Sequence, residues 1–285
     1  MDSNMFTILP MSQRFSLKPG ETYEGSITVV NPVDATEDFA YKAAIVPYGV
    51  SGEDYQADLI TDSDHTMIAK WIKIEEPTGK VKPNESKKVN FKITVPKDAP
   101  AGGQYAAITV TSNNDANGGD GVTVQNVFEM ASIIYGTVAG ETRHEGEVEE
   151  NTIPGFVVNT PVKLTAKITN SGNVHADATF IISVSDFFTG RVILPTEEND
   201  GEYNEIIMPD TTRVAEREVN DLPALGVVKI NQTIYYNGKV STVEKNVIIC
   251  PIWFMLLVFA TIGAIIWTII HLIRKHRKNK NSIEA

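Results

Sequence analysis

From Val247 the sequence runs VIICPIWFMLLVFATIGAIIWTIIHLI, 27 residues without a formal charge before Arg274. No other stretch limits the fold as much. A helix needs about 20 apolar residues to cross a hydrocarbon core of about 30 Å. A buried helix of a soluble domain is shorter and seldom apolar on every face. The expectation is a membrane span from Val247 to Ile273, with Trp253 and Trp267 near its ends as interfacial aromatics. Pro251 would fall in the first turn, where its missing N–H costs little. Arg274, Lys275, Arg277, Lys278 and Lys280 follow the span, whereas Glu244 and Lys245 precede it. Basic flanks stay in the cytoplasm, so 274–285 reads as a cytoplasmic tail and 1–246 as extracellular, at the plasma membrane, with the lipid bilayer as one partner.

A span with a basic tail also ends proteins that sortases attach to cell walls, but those need an LPxTG-type motif just before it. Here that stretch reads KVSTVEKNV, and Leu194-Pro195-Thr196 is followed by two glutamates. The span is therefore expected to persist as the anchor. The chain opens MDSNMFTILP, with no basic and no apolar leader, so an export signal is expected ahead of Met1.

Charge separates the tail from the rest. The whole chain carries a formal −11, the last twelve residues hold five basic groups against one acid, and the remainder has 20 basic against 35 acidic residues, a net −15. So acidic a body argues against nucleic-acid binding, which needs a basic face to displace counterions. Cys250 is the single cysteine, which excludes an intrachain disulfide and a cysteine metal cluster. Stability must come from a hydrophobic core, and 285 residues suffice for one.

Period-two patterning fills the body. Tyr23, Gly25, Ile27 and Val29 alternate with Thr22, Glu24, Ser26 and Thr28; Val89, Phe91, Ile93 and Val95 with Lys88, Asn90, Lys92 and Thr94; Val162, Leu164, Ala166 and Ile168 with Lys163, Thr165, Lys167 and Thr169. One wet face per strand is the mark of antiparallel sheets packed in a sandwich. Outside the span only Asp64–Ala69 reads as a short helical turn. Two echoes indicate duplication. DAPAGG (98–103) matches DLPALG (221–226) as D-x-P-A-x-G, and SITVVNPVD (26–34) matches TAKITNSGN (165–173) in ending a strand at an Asn turn. The D-x-P-A-x-G segments read as corners between strands, because Pro fixes φ and Gly takes conformations closed to side chains.

The expected fold is all-β: two tandem Ig-like β-sandwich domains, a transmembrane helix and a basic tail. The boundaries are 1–140 for the first domain, 141–154 for an acidic linker, 155–246 for the second domain, then span and tail. The first domain carries an insertion around Tyr48–Thr66.

LKPGETYEGSITVVN, VKPNESKKVNFKITVPKDAPAGGQY, ITNSGN and the LPALG…YYNG run, followed by span and basic tail, occur in order along most of the chain. In this the sequence resembles the WxL-interacting surface proteins of Gram-positive bacteria. The resemblance implies a peptidoglycan-binding first domain, a second domain that contacts host or other external macromolecules, and a WxL-type or other surface protein as partner.

Catalytic patterns are missing from the sequence: no HExxH, GxSxG or Walker loop is present. His65, His144 and His175 fall in expected turns or the linker, and His271 and His276 in or beside the span. Cys250 has no lipobox residue before it and reads as buried. The chain is therefore read as a binding protein without cofactor, not an enzyme. Asn113–Gly121, NNDANGGDG, has the oxygen ligands of a Ca²⁺ loop but Gly119 at the fifth position of the pattern, so it reads as a hairpin loop. Asp62-Ser-Asp64-His65 reads as the cap of a short helix.

For ligand contact the candidates are Tyr48, Tyr55 and Trp71, since aromatic faces and sugar C–H faces both shed water on meeting. The competing reading of Trp71 is the core tryptophan of a sandwich. Two rival functions stay open: an assembly protein that accepts a partner's strand at a sheet edge, and a single-pass receptor.

Overall fold

In the computed structural model the alternating segments form strands almost where the pattern places them, and the structure describes residues 6–112 and 129–281, with side chains to residue 274. The loop Asn113–Gly121 and the opening MDSNM lie outside the described residues, as do the side chains of Lys275, Arg277, Lys278 and Lys280.

The strands are Thr7–Leu9 (β1), Ser12–Leu17 (β2), Thr22–Val30 (β3), Phe39–Pro47 (β4), Gly49–Ser51 (β5), Gln56–Asp58 (β6), Ile72–Ile74 (β7), Thr78–Val81 (β8), Ser86–Thr94 (β9), Gly102–Ser112 (β10) and Glu129–Val138 (β11). They continue with Gly146–Thr152 (β12), Phe156–Val157 (β13), Val162–Asn170 (β14), Ala176–Asp186 (β15), Val192–Leu194 (β16), Glu202–Ile207 (β17), Thr211–Val219 (β18), Gly226–Tyr236 (β19) and Lys239–Ile249 (β20). A 3-10 turn covers Met67–Lys70, and one helix, α1, spans Ile252–Asn281. The chain is thus all-β with a C-terminal helix. It divides into two units, Met1–Glu147 with Ile168–Asp177 and Ile206–Val214, and Val148–Lys167 with Ala178–Glu205 and Ala215–Ala285.

In the first unit a four-stranded sheet, β1-β3-β9-β7, faces a five-stranded one, β2-β11-β10-β4-β8. Ile27, Val29, Val89, Phe91 and Ile93 from one sheet meet Ala106, Ile108, Val110 and Ile134 from the other in a single core. The first strand is shared: β1 pairs antiparallel with β3, and after Pro10 the chain crosses to pair β2 parallel with β11. Gly25 occupies an apolar position of β3 because the Phe91 ring of its register partner lies over it; a Cβ there would come within 2.3 Å of that ring.

In the second unit β12-β14-β18 faces β13-β20-β19-β15-β16, with β17 also paired to β15. Val162 and Leu164 of β14 and Val219 of β18 meet Ile182, Val184, Val228, Ile230, Val247 and Ile249. Both D-x-P-A-x-G corners connect strands of facing sheets, β9 to β10 and β18 to β19. Gly102 (φ 120°) and Gly226 (φ 155°) take the positive φ in them.

The Asn echo has a physical basis. Asn31 and Asn170 are both buried at the end of a strand. The Asn31 amide donates to the carbonyls of Glu37 and Val81, that of Asn170 to those of Val174 and Ile207, all at 2.8–3.0 Å. Each ties off backbone acceptors that the strand end would otherwise leave unpaired in the interior.

Two expectations need correction. The apolar helix starts at Ile252, not Val247, and the window long and apolar enough to cross a membrane runs Ile252–Arg274. Val247 and Ile249 alternate into the sandwich core as the last turn-free residues of β20, which is why the uncharged run is longer than the span. The 3-10 turn is preceded by Thr66 and has no side-chain cap. Instead of capping it, Asp62 pairs with Lys70 at 2.7 Å, and the Asp64 carbonyl accepts from Gln104.

Candidate functional site

Strand β10 is buried on both faces from Gly102 through Val110. Its even residues fill the core; its odd ones, Tyr105, Ala107 and Thr109, should be wet in a simple sandwich. All three are buried, and Tyr105 is covered by residues of the Tyr48–Thr66 insertion and of the 206–214 segment of the same unit. Tyr105, Tyr135 and Met208 form a second small core, with Tyr48, Val50, Tyr55, Ile133 and Ile206 packed on it. The rings of Tyr48 and Tyr105 each meet Tyr135 edge-on, at 6.2 and 5.9 Å, the arrangement aromatic quadrupoles favour.

The polar ends of these tyrosines are satisfied. The Tyr55 hydroxyl bonds Thr211 and accepts from the Met208 N–H at 3.0 Å, while the Arg213 guanidinium lies 4.5 Å over its ring. The Tyr105 hydroxyl accepts from the His175 N–H at 2.8 Å. Burial pushes the Tyr105 and Tyr135 phenols well above their ordinary range. Burial, with a contribution from the Arg14 cation, lowers His175 to about 4. A cavity of about 140 Å³ remains, lined among others by Tyr48, Val50, Asp58, His65, Tyr105 and Met208. Ligand pockets generally start at about 300 Å³, so this one is too small for a sugar ring.

The structure therefore brings Tyr48 and Tyr55 together, in a packed cluster, and leaves Trp71 apart. Trp71 packs against the main core at the end of the 3-10 turn, where its carbonyl accepts from the Thr94 N–H at 2.9 Å. Among the described residues no three His, Cys, Asp or Glu side chains gather as metal ligands.

Beside the tyrosine cluster lies a feature that the sequence pattern did not single out. Strand β2 ends its sheet, parallel to β11, and no strand covers its other side among the described residues. The Ile133 N–H bonds the Met11 carbonyl and the Ala139 N–H the Leu17 carbonyl. In a parallel ladder with this register, the backbone groups of Met11, Gln13, Phe15 and Leu17 face β11, and those of Ser12, Arg14 and Ser16 face outward. Arg14 makes a two-pronged pair with Asp177, at 2.7 and 2.5 Å, on the rim of the tyrosine cluster. That bond holds the Asp177 carboxyl below its usual range. Both side chains are about half exposed, 51% and 47%, so the pair contributes at most about 1 kcal/mol.

Other strands at sheet ends are guarded. β1, β7, β8, β13 and β16 have four residues or fewer. The longer ones carry carboxylates: Glu147, Glu149 and Glu150 on β12, Glu216 and Glu218 on β18, and Glu202 and Glu205 on β17. Short length and charge are the usual protections of an edge. SQRFSL of β2 is six residues long and holds no acid of its own; its one charge, Arg14, is paired with Asp177. The sequence signal was there in the missing carboxylate, but that a strand lies at an edge is a property of sheet order.

No family model matches the sequence, and no curated protein matches it. Among solved structures the chain is similar to a chain of the chaperone–tip adhesin complex in CFA/I fimbriae biogenesis, at 12% identity over 85% of this chain and 98% of that one, TM-score 0.42. It is also similar to the E. coli chaperone DraB, at 13% identity over 84% and 97%, TM-score 0.39. A third is a chain of the Salmonella enterica SafA pilin–SafB chaperone complex, at 10% identity over 86% and 96%, TM-score 0.41. At these identities and TM-scores the likeness assigns no partner or activity to this chain. It does correct one expectation. The surface binder that tethers a membrane to peptidoglycan and host macromolecules has no counterpart among these neighbours, which are chaperones and chaperone complexes, and that function is not carried forward.

Proposed function

We propose that the chain is a membrane-held assembly module that takes an extended segment of a partner protein onto the open edge of β2. It works by binding and needs no catalytic group. The observation that carries this reading is the contrast among edges: β2 is the one strand longer than four residues at a sheet end, among those described, that has no acidic residue of its own. Strand addition draws affinity from main-chain hydrogen bonds and specificity from side chains on alternate positions. Here the outward backbone of Ser12, Arg14 and Ser16 supplies the first, and Arg14 with its neighbours Tyr135 and Asp177 the second. The helix α1, with an apolar window of 23 residues and mean hydropathy 2.4, holds the module at the plasma membrane, basic tail on the cytoplasmic side. Membership in the WxL-interacting family is likewise proposed on the motifs quoted above, without the peptidoglycan and host contacts.

A proline replacement tests it. The Ser16 N–H faces outward, so Ser16→Pro removes a donor from the open edge and leaves the β11 ladder intact, the situation in which strands tolerate proline. A photo-crosslinking amino acid at Ser12 in the full chain, in cells, should give a defined protein adduct. That adduct should persist with Ser16→Ala and disappear with Ser16→Pro. Adducts that survive the proline, or none with either variant, refute strand addition at this edge.

A further inference from the structure

Strand β20 runs into α1 with only Cys250 and Pro251 between them. Pairing continues to the junction: the Ile248 N–H bonds the Gly155 carbonyl and the Cys250 N–H the Val157 carbonyl, both at 3.0 Å. The apolar window Ile252–Arg274 has 23 residues, about 34 Å at roughly 1.5 Å per residue. That length is close to the hydrocarbon thickness of about 30 Å. The span has few residues to spare, so the end of β20 stands at the headgroup level.

What the second unit presents at that end is apolar. In register, Val227 pairs with Ile248 and Gly226 with Ile249, while Asp186 of β15 pairs with Val228. The turn after Asp186 is therefore level with the last residues of β20, and the Phe187 N–H bonds the Val227 carbonyl at 3.1 Å. At its tip stand Phe187 and Phe188, 48% and 77% exposed, with rings edge-to-face at 5.2 Å. Leu225, Ile248 and Phe156 are exposed on the same end.

The turn is rigid rather than loose. The Asp186 carboxylate accepts from the Phe188 and Thr189 N–H groups and the Thr189 hydroxyl, at 2.7–3.1 Å. Those bonds hold its pKa below the usual range and keep its charge turned to the turn's own backbone. A fixed turn that holds two phenylalanines out of the fold, beside the start of a membrane span, is poorly suited to water. Phe and Leu side chains on an element lying at a bilayer surface bury themselves at the headgroup–acyl boundary.

Resting on the reading of α1 as a membrane span, we infer that the rim of Phe187, Phe188, Leu225, Ile248 and Phe156 is a lipid contact. It dips into the headgroup layer of the leaflet from which α1 emerges, so that the second unit is seated on the bilayer and not only tethered to it.

The test uses the full chain in phosphatidylcholine–phosphatidylglycerol vesicles carrying a shallow nitroxide lipid. A Phe188→Cys, Cys250→Ser variant is labelled with an environment-sensitive fluorophore; Lys239→Cys, Cys250→Ser, at the far end of the β19–β20 hairpin, is the comparison. Unlabelled protein reports on the span through quenching of Trp253 and Trp267. The expected result is tryptophan quenching together with several-fold stronger quenching of the label at 188 than at 239. Tryptophan quenching with equal, weak quenching at both labels overturns the lipid contact and leaves the span. A blue-shifted but unquenched label at 188 overturns it too, since protein then covers the rim. Unquenched tryptophans sink the span reading, and the inference with it.

Discussion

Strands β10 and β19 follow the same D-x-P-A-x-G corner, yet one is buried on both faces and the other on one. In β10 the outward tyrosine, Tyr105, is 1% exposed; in β19 the outward tyrosine, Tyr235, is 47% exposed beside Val240 at 58%. The difference comes from elsewhere in the chain. The Tyr48–Thr66 insertion roofs β10 with Tyr48 and Tyr55, and the 206–214 segment with Ile206 and Met208; nothing in the sequence of β10 itself requires that roof. A corner motif thus specifies how the chain turns between sheets, and not what the outer face of the next strand will meet.

Substitution should make the contrast quantitative. Tyr105→Ala removes a ring from a filled cluster and leaves the His175 N–H without its acceptor, and should cost about 3–5 kcal/mol in urea unfolding. Tyr235→Ala removes a ring from a wet face and should change stability by less than about 0.5 kcal/mol. Equal costs would mean that the β10 roof is not a packed core. The Asn echo should behave oppositely, as a likeness: Asn31→Ala strands the buried Val81 carbonyl and the part-buried Glu37 carbonyl, Asn170→Ala those of Val174 and Ile207, and each should cost about 1–3 kcal/mol. A large cost at one site alone would break the structural equivalence of the two turns.

Acid should separate the regions by a smaller step. His175 titrates at about 4 in the fold against 6.5 as its ordinary value. A depressed histidine stabilises the fold while neutral, so its contribution is complete above pH 6.5. It is lost as pH falls from 6.5 towards 4, by at most about 1.4 kcal/mol per pH unit. Unfolding followed by fluorescence of the first unit across that window should show this slope, and His175→Gln should flatten it. An unchanged slope in the variant would assign the acid sensitivity to other groups.

Much of the fold was legible because one-sided burial writes itself as alternation. Val89, Phe91 and Ile93 against Lys88, Asn90 and Lys92 could only be a strand with one wet face, and β9 is one. The end of the apolar run was legible from charge, but the start of its helix was not: Val247 and Ile249 are apolar for the sandwich core, Ile252 onward belongs to the exposed apolar helix, and hydropathy does not tell the two apart. The candidate site was legible in part. Tyr48 and Tyr55 belong to the insertion that builds the cluster, whereas Tyr105, Tyr135 and His175 look like ordinary strand and turn residues until the insertion is placed on them. That β2 is an edge depends on which strands do not pair with it, a fact spread over the whole chain.

The junction of β20 with α1 has a mechanical consequence. With two residues between strand and helix there is no slack, and tension on the helix passes straight into β20. That strand is held along its length by eleven register pairs with β19. A load along the β20 axis stretches those pairs together instead of unzipping them one at a time, so the hairpin resists as a block. The second unit thus grips α1 as a clamp, through the whole length of β20.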